Sequence, residues 1–128
     1  MTRCYLDTSA AAKLLVAEAE SVALAHWLDQ PDLRPVATLL LETELRRLAV
    51  RLGFSQQAVS AVLDGVELFA LADTAYREAG LMPRRDLRSL DALHLAAALR
   101  LDVDVLVTYD ERLASASADV GLAVVAPA

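Results

Sequence analysis

Cysteine, glycine, proline and aromatic residues are all scarce in this sequence. The single cysteine, Cys4, excludes a disulfide within the chain and fits a reducing cytoplasm. Four glycines and four prolines in 128 residues, with 56% hydrophobic residues, exclude a disordered or fibrous protein. No apolar run approaches the roughly 20 residues that span a bilayer, and no secretory signal precedes Asp7. We therefore expect one folded domain over residues 1–128, in the cytoplasm and away from membranes.

Lysine is almost absent, and acidic residues outnumber basic ones. The net charge of −6 lowers the expected affinity for nucleic acids, because phosphate contacts dominate that affinity. Eleven of the twelve basic residues are arginines, whose guanidinium group matches phosphate. Two groups of arginines stand out: Arg46, Arg47 and Arg51, and Arg84, Arg85 and Arg88. A GC-rich genome would produce the same arginine bias, so composition alone leaves a nucleic-acid partner open.

Apolar strand patterns alternate with helical patterns along the chain, which predicts an α/β fold with a parallel sheet. Strands are predicted at 3–7, 35–37, 66–71, 103–109 and 122–125. Helices are predicted at 10–16, 18–29, 39–52, 55–64, 73–81, 90–101 and 110–116. The expected N-caps are Ser9, Thr38, Ser55 and Ser89, and Gly53 is expected to end the third helix. The prediction is a central sheet of four to five strands flanked by helices.

Four acidic residues lie where this fold places them at one edge of the sheet. Asp7 and Asp110 follow the first and fourth strands, whereas Glu44 and Asp91 lie in early turns of helices. In a parallel α/β sheet, strand carboxyl ends and helix N-termini share the edge at which ligands bind. Four acids cannot all stay ionised there unless something offsets their repulsion. Because Mg²⁺ prefers oxygen ligands and substrate phosphate, the pattern predicts a metal-dependent enzyme acting on phosphate.

Two of these acids lie on apolar helix faces. Glu44 belongs to a predicted buried stripe with Leu41, Leu45, Leu48 and Leu52. Asp91 shares a predicted inward face with Leu95, Ala98 and Leu99. A buried carboxylate requires a partner or a metal, so both acids are metal-ligand candidates. For Glu44, a position at the stripe margin with an arginine partner is the alternative.

Polar residues next to the acids are candidates for supporting roles. The hydroxyl residues are Thr8, Ser9 and Thr108. They are placed to hydrogen-bond to metal ligands or to bound waters, and helix capping or turn formation is the alternative. Arg112, just after Asp110, is a candidate for contact with substrate phosphate. His94 is expected to be a packed or surface residue rather than a general base, and neither His26 nor His94 has zinc-ligand spacing.

Four ordered blocks carry a family resemblance. They are Tyr5-Leu6-Asp7-Thr8-Ser9-Ala10, then Thr38 with Glu44-Leu45-Arg46-Arg47, then Leu90-Asp91-Ala92-Leu93-His94-Leu95-Ala96, and finally Val107-Thr108-Tyr109-Asp110-Glu111-Arg112. Each block alone is weakly specific, but the ordered set covers essentially the whole chain. It resembles the PIN-domain ribonucleases, in particular the VapC toxins of bacterial toxin–antitoxin pairs.

The resemblance implies a PIN fold that cleaves RNA phosphodiesters with metal-activated water, in many members at selected sites in transfer or ribosomal RNA. Asp7, Glu44 and Asp91 would be primary ligands of Mg²⁺ or Mn²⁺, and Asp110 a more variable fourth acid. A small antitoxin of VapB type would reach into the site. The expected assembly is a homodimer, or a heterotetramer or hetero-octamer with antitoxin. The first helices around Trp27 would lie near the antitoxin groove, with Trp27 itself in the core or a dimer contact.

Three other interpretations remain open. A haloacid-dehalogenase-type phosphatase also has an aspartate after its first strand, but it needs a second one two residues later, where this chain has Ser9. A receiver-like binding domain would need adjacent acids on its first strand and a lysine after its last, whereas the only lysine is Lys13. A catalytically inert PIN-like scaffold would be expected to have lost some of the four acids.

Overall fold

A five-stranded sheet forms the centre of the computed structural model, which describes residues 1–128. The strands are β1 (Thr2–Leu6), β2 (Leu33–Thr38), β3 (Glu67–Phe69), β4 (Val105–Val107) and β5 (Ala123–Val125). They lie in the order β3-β2-β1-β4-β5, and every neighbouring pair is parallel. The α/β class and the predicted parallel sheet of four to five strands are therefore confirmed.

Seven helices connect and flank the strands. They are α1 (Thr8–Leu15), α2 (Ser21–Leu28), α3 (Leu39–Leu52), α4 (Gln56–Leu63), α5 (Asp73–Gly80), α6 (Ser89–Arg100) and α7 (Glu111–Asp119). All seven helices predicted from the sequence form; the bounds of α3 match the prediction, and those of the other helices differ by up to a few residues. None of them has the length and the apolar character that crossing a membrane requires.

The two faces of the sheet bury separate hydrophobic clusters. Side chains alternate along β1, so Cys4 and Leu6 pack with α1, α3 and α4, whereas Tyr5 packs on the face covered by α6 and α7. Burial raises the pKa of the Cys4 thiol to about 11, which keeps it a neutral, small core residue. Trp27 packs against the cluster on the α1 side and is partly buried. The alternation also aims Tyr5 at α6, which becomes important for the site.

The strand order places a crevice between the carboxyl ends of β1 and β4. From β1 the chain builds outward through β2 and β3, and it then returns to add β4 and β5 on the other side of β1. Such a reversal of strand order is where α/β sheets bind ligands. Here β1 passes directly into Asp7 and β4 into Thr108, and the Asp7 amide donates to the Val107 carbonyl at 3.3 Å.

The start of α1 differs from the sequence prediction. Asp7, rather than Ser9, caps this helix, since its Oδ1 accepts a hydrogen bond from the Ala10 amide at 2.9 Å. The Ser9 hydroxyl instead donates to the Asp7 carboxylate, at 2.8 Å to Oδ1 and 2.9 Å to Oδ2. A carboxylate is the better partner for helix N-terminal amides because it also complements the helix dipole.

Two further helix starts differ from the prediction, and two helix signals are confirmed. Ser89 is the first residue of α6 rather than its cap. Thr38 occupies the N-cap position of α3, but its hydroxyl makes no capping hydrogen bond. Ser55 caps α4 by accepting from the Ala58 amide at 3.1 Å. Gly53 ends α3 with a left-handed φ of 77°, a conformation that glycine adopts without steric cost.

Both predicted apolar stripes extend too far. Leu52 in α3 is 53% exposed and Leu99 in α6 is 44% exposed, whereas Leu41, Leu45 and Leu95 are buried as predicted. The two exposed leucines lie at the carboxyl ends of their helices, where neighbouring elements no longer cover them. Helical periodicity identifies the buried face of a helix but does not indicate where along its length the cover ends.

Candidate functional site

The four predicted acids lie together at the carboxyl edge of the sheet. Asp7 follows β1, Glu44 lies in the second turn of α3, Asp91 is the third residue of α6, and Asp110 is the N-cap of α7. Burial raises the pKa of Asp91, and the charge of Asp110, followed by smaller contributions from Asp7 and Glu44, raises it further. Glu44, Asp91 and Asp110 line one open cavity of about 820 Å³.

Asp7 is the most buried of the four acids, with 2% of its surface exposed. Besides the Ser9 hydroxyl and the Ala10 amide, its Oδ2 accepts a short hydrogen bond from the Thr108 hydroxyl. Burial raises the pKa of Asp7, and the hydrogen bonds from Thr108, Ala10 and Ser9 partly offset that rise. These donors hold the Asp7 carboxylate in one orientation, which is what a metal ligand needs from its surroundings.

Glu44 is held by a buried histidine that the sequence pattern did not identify as its partner. His94 is 1% exposed, and its Nε2 lies 2.7 Å from Glu44 Oε1. Its Nδ1 lies 2.7 Å from the Tyr5 hydroxyl, and the Thr8 hydroxyl lies 3.3 Å from Nε2. Burial raises the pKa of Glu44, but the hydrogen bond and charge of His94 and a hydrogen bond from Thr8 outweigh it, so the net shift is downward.

Tyr5 lies at the far end of this series of hydrogen bonds from Glu44. Burial raises the pKa of the Tyr5 phenol far above neutrality, so it remains an O–H donor. The carboxylate of Glu44 accepts from His94 Nε2, and the neutral phenol pairs with Nδ1 on the other side of the ring. The Thr38 hydroxyl lies near the phenol and lowers its pKa slightly, yet it has no hydrogen-bond partner of good geometry. The hydrogen bonds from His94 and Thr8 thereby favour the ionised form of Glu44 and orient its carboxylate.

Asp91 and Asp110 are held less tightly than the other two acids. No hydrogen bond contributes to the pKa of the half-buried Asp91. Asp110 caps α7, and its Oδ1 accepts from the Leu113 amide at 2.8 Å, which leaves Oδ2 available. The Thr108 hydroxyl accepts from the Asp110 amide at 3.1 Å and so links Asp110 to Asp7. The cavity is therefore lined by one fixed carboxylate, that of Glu44, and two adjustable ones, those of Asp91 and Asp110, and the fixed carboxylate of Asp7 is buried nearby.

The four carboxylates are the kind of ligand that a hard divalent cation prefers, but they do not lie close enough together to bind one as they stand. No three histidine, cysteine, aspartate or glutamate side chains lie close enough together to hold a metal ion as they stand. All four candidate ligands are nevertheless oxygen donors, as Mg²⁺ or Mn²⁺ prefers. A cation would also remove the like-charge repulsion that raises the pKa of Asp91. Asp91 and Asp110, which are held least tightly, are the candidates whose carboxylates could move to complete such a site.

Two residues that sequence reasoning passed over belong to the site, namely His94 and Tyr5. His94 was expected to be packed or exposed, and it is packed, but its ring connects two polar groups of the site. A signal was present, because His94 follows Asp91 by three residues and so shares its side of the helix. Tyr5 carried no such signal, since only the strand face decides which way its hydroxyl points. Arg112, the predicted phosphate contact, lines the cavity and is exposed.

Comparison with known proteins gives the family. The PIN domain family matches residues 4–118. The chain is 43% identical to Ribonuclease VapC35 of Mycobacterium tuberculosis over 130 aligned residues, which cover 96% of each protein. It is 39% identical to Ribonuclease VapC46 of the same organism, with 99% of each protein covered.

Solved structures share the fold at much lower identity. The M. tuberculosis toxin VapC20, described as cleaving the sarcin–ricin loop, superposes with a TM-score of 0.75 at 18% identity, with 97% of this chain and 99% of that chain covered. VapBC2 from Rickettsia felis, bound to a DNA fragment from its promoter, also has a TM-score of 0.75, at 13% identity and with 99% and 100% covered. Together with the sequence relatives, the parallel sheet and its acidic crevice lead to one conclusion: this chain belongs to the PIN-domain family, among the VapC ribonucleases.

Proposed function

We propose that this chain is a Mg²⁺- or Mn²⁺-dependent endoribonuclease that hydrolyses RNA phosphodiesters, as the toxin component of a VapBC-type toxin–antitoxin system. The observation that carries the proposal is the gathering of Asp7, Glu44, Asp91 and Asp110 at the crevice between β1 and β4. Sequence identity of up to 43% to proteins named ribonuclease VapC supports the proposal that the substrate is RNA.

In this proposal the four acids are the ligands of the divalent ion. When bound, such an ion lowers the pKa of a coordinated water and offsets the charge that develops on the phosphodiester. Asp7 and Glu44 supply fixed ligand positions, since Ser9 and Thr108 orient the first and His94 orients the second. Asp91 and Asp110 supply ligands that adjust as the site closes. Thr8, which contacts His94, and Arg112, which faces the cavity, support ligand and substrate positions.

The finer assignments are also proposals. The substrate is a structured cellular RNA such as transfer or ribosomal RNA, in line with the related toxin described as cleaving the sarcin–ricin loop. The partner is a small antitoxin of VapB type, because structural neighbours include toxin–antitoxin complexes from Klebsiella pneumoniae and Haemophilus influenzae. We further propose one PIN domain over residues 1–128, acting in the cytoplasm, either as a homodimer or as a heterotetramer or hetero-octamer with antitoxin.

The experiment that tests the proposal uses antitoxin-free protein and total cellular RNA. Reactions contain Mg²⁺, Mn²⁺ or EDTA, with Asp91→Asn as the site variant and Asp32→Asn, an exposed aspartate outside the site, as the matched control. We expect discrete cleavage products with either metal from the wild type and the control, and none from the site variant or in EDTA. Mapping the product ends identifies the RNA and the cleaved bond. Equal product patterns from the wild type and Asp91→Asn would contradict the proposal.

A catalytically inert scaffold is the second candidate, and one observation favours it. The acids are not preassembled into a group that could hold a metal ion. On that interpretation the protein would bind its partner without cleaving RNA under any metal condition. The same assay separates the two candidates, and phosphatase activity on a small monoester would instead indicate the dehalogenase-type alternative. That alternative is weakened by Ser9, whose hydroxyl binds Asp7 where the phosphatase would have its second aspartate.

A further inference from the structure

The arginines near the site divide into paired and unpaired side chains. Arg46 donates to Glu42 at 3.0 Å and to Ser60 at 3.2 Å, so it joins α3 to α4. Arg84 forms ion pairs with Asp86 at 3.0 Å and with Asp119 at 2.9 Å. Arg46 and Arg84, one from each of the two arginine groups of the sequence, thus form ion pairs within the protein. The other arginines of the two groups form none.

Four exposed arginines flank the acids and take part in none of the ion pairs of the molecule. On one side, Arg47 and Arg51 line a cavity of about 570 Å³ that also contains Glu44. On the other side, Arg88 and Arg112 line the cavity of about 820 Å³ that holds Glu44, Asp91 and Asp110. The two cavities share Glu44 and Leu90 and so meet at the acids.

Ion pairs are few among the arginines of this chain, since only Arg46, Arg84 and Arg100 of the eleven form one. The four arginines differ from the other unpaired ones because they line cavities that contain the acids. Eighteen acidic residues face twelve basic ones, so partners are abundant. Arg47 follows Glu44 by three residues on α3, a spacing at which opposite charges on a helix pair readily. Glu44 pairs with His94 instead, and Arg47 stays exposed at the cavity wall. Arg112 is close enough to Asp86 to contribute to lowering its pKa, but the two form no ion pair.

We propose that a single strand of RNA crosses the site through both cavities, with the scissile phosphate at the acids. Arg47 and Arg51 bind backbone phosphates on one side of it, and Arg88 and Arg112 bind those on the other. The proposal rests on the proposed ribonuclease function and adds the path of the substrate. The guanidinium group presents a fork of donors that matches phosphate geometry, and these four are the groups that attract a polyanion to a site dominated by carboxylates.

The shape of the surface favours a single strand over a duplex. The two cavities, of about 820 Å³ and 570 Å³, meet at Leu90, which is 46% exposed. Cavities of this size admit unpaired nucleotides, and a flexible single strand can follow both of them, whereas a duplex would have to be deformed to reach the acids. Leu40 and Leu48 line the α3 cavity and offer apolar contact to bases without reading their edges. Backbone contacts of this kind fix the position of the strand and contribute little to sequence choice.

The test measures binding and its salt dependence separately from cleavage. The probe is a fluorescein-labelled, single-stranded oligoribonucleotide, bound to full-length protein carrying Asp91→Asn in Mg²⁺ and followed by anisotropy. Two double variants each remove the arginines of one cavity: Arg47→Gln with Arg51→Gln, and Arg88→Gln with Arg112→Gln. The matched control is Arg34→Gln with Arg77→Gln, which changes net charge equally at exposed arginines that line neither cavity. Thermal unfolding of every variant checks that the fold is intact.

We expect each site-side double variant to weaken binding about tenfold or more, and the control to stay within about twofold. The slope of log affinity against log salt should become shallower by about 0.7 for each arginine removed, since that is the counterion release for a single strand. A parent that does not bind the probe, or equal slopes in all three double variants, would overturn the proposal. So would variants that bind RNA normally but lose affinity for the antitoxin, because the surface would then be a protein interface.

Failure of the ribonuclease proposal is a different result: the wild type would not cleave RNA, whatever the arginine variants do to binding.

Discussion

The imidazole of His94 lies 2.7 Å from Glu44 on one side and 2.7 Å from the Tyr5 hydroxyl on the other. Glu44 belongs to α3 and His94 to α6, and these helices pack on opposite faces of the sheet. The hydrogen bond therefore joins the two helical layers over the carboxyl edge of β1. It also fixes the direction of one proposed metal ligand, so the account predicts that changes behind Glu44 affect metal binding.

Removing the donor behind Glu44 should weaken metal binding. For His94→Leu we expect Mn²⁺ affinity to fall about 10- to 100-fold, the usual effect of losing a partner behind a metal ligand. His94→Gln retains an N–H group that can reach Glu44 and should recover part of the loss. Electron paramagnetic resonance titration with Mn²⁺ measures this without reference to activity. If the glutamine and leucine variants bind Mn²⁺ equally, His94 has a packing role and does not position Glu44.

Tyr5→Phe should destabilise the protein without touching the cavity. It leaves His94 Nδ1 buried without its hydrogen-bond partner, and an unsatisfied buried polar group costs about 1–3 kcal/mol. The free energy of unfolding from urea titration gives the value. Tyr76→Phe, at an exposed tyrosine on α5, is the matched control and should change stability by less than about 0.5 kcal/mol. A loss no larger than that of the control would argue against the hydrogen-bonded chain.

Asp91→Asn should stabilise the metal-free protein at neutral pH. Burial, and then the charge of Asp110, raise the pKa of Asp91 above its ordinary value of 3.8, so the folded state holds the proton more tightly than the unfolded state. The free energy of unfolding therefore falls as pH rises from the ordinary pKa of an aspartate to the raised pKa of Asp91 in the folded state. Asparagine carries no ionisable proton, so the Asp91→Asn variant does not lose this stability. Because Asp91 is half exposed, solvent screening limits the gain to below about 1 kcal/mol.

Melting temperatures in EDTA at neutral pH and below pH 3.8 measure this effect. The advantage of the Asp91→Asn variant should be present at neutral pH and absent in the more acidic buffer. Added Mg²⁺ should then raise the melting temperature of the wild type more than that of the variant, since a ligand stabilises the state that binds it. A variant that is less stable than the wild type in EDTA at neutral pH would show that Asp91 has a structural partner.

Thr108→Val should shift the titration of Asp7. The Thr108 hydroxyl donates to Asp7 Oδ2 and is the strongest of the hydrogen bonds that lower the pKa of this buried acid. Without it the pKa rises further, so the acidic limb of the cleavage–pH profile should move to higher pH. The lost hydrogen bond to a charged group should also cost about 1.5–3 kcal/mol of stability. Thr2→Val, at the start of β1 and away from the site, should leave the profile unchanged, and an identical shift in both variants would contradict the assignment.

Local features of the chain were predictable where the signal lies within one element. The bounds of α3 match the predicted range 39–52, because an apolar stripe, good helix formers and a terminal glycine all agree there. The convergence of the four acids was predictable as well, since parallel strands and the helices that follow them share one edge. Strand ends were less certain: β4 covers Val105–Val107 where 103–109 was predicted.

The contacts that orient the site were not predictable, because they join distant parts of the chain. His94 and Glu44 are separated by 50 residues, and Tyr5 and His94 by 89. No periodicity within α3 or α6 specifies which side chain of the other helix it will meet. The cap of α1 was missed for a related reason, since Asp7 was interpreted only as a ligand, whereas it also accepts from the Ala10 amide. One residue serving two purposes is difficult to recognise from pattern alone.

The central claim is that one divalent-metal site, built from these carboxylates, cleaves RNA. The most direct measurement titrates Mn²⁺ into the wild type, Asp91→Asn and the exposed control Asp32→Asn, and follows bound metal and cleavage of one mapped RNA in the same samples. The account predicts that binding and cleavage rise together in the wild type and the control, and that both are lost or strongly weakened in Asp91→Asn. Cleavage that persists in Asp91→Asn, or that does not follow bound metal, would contradict it.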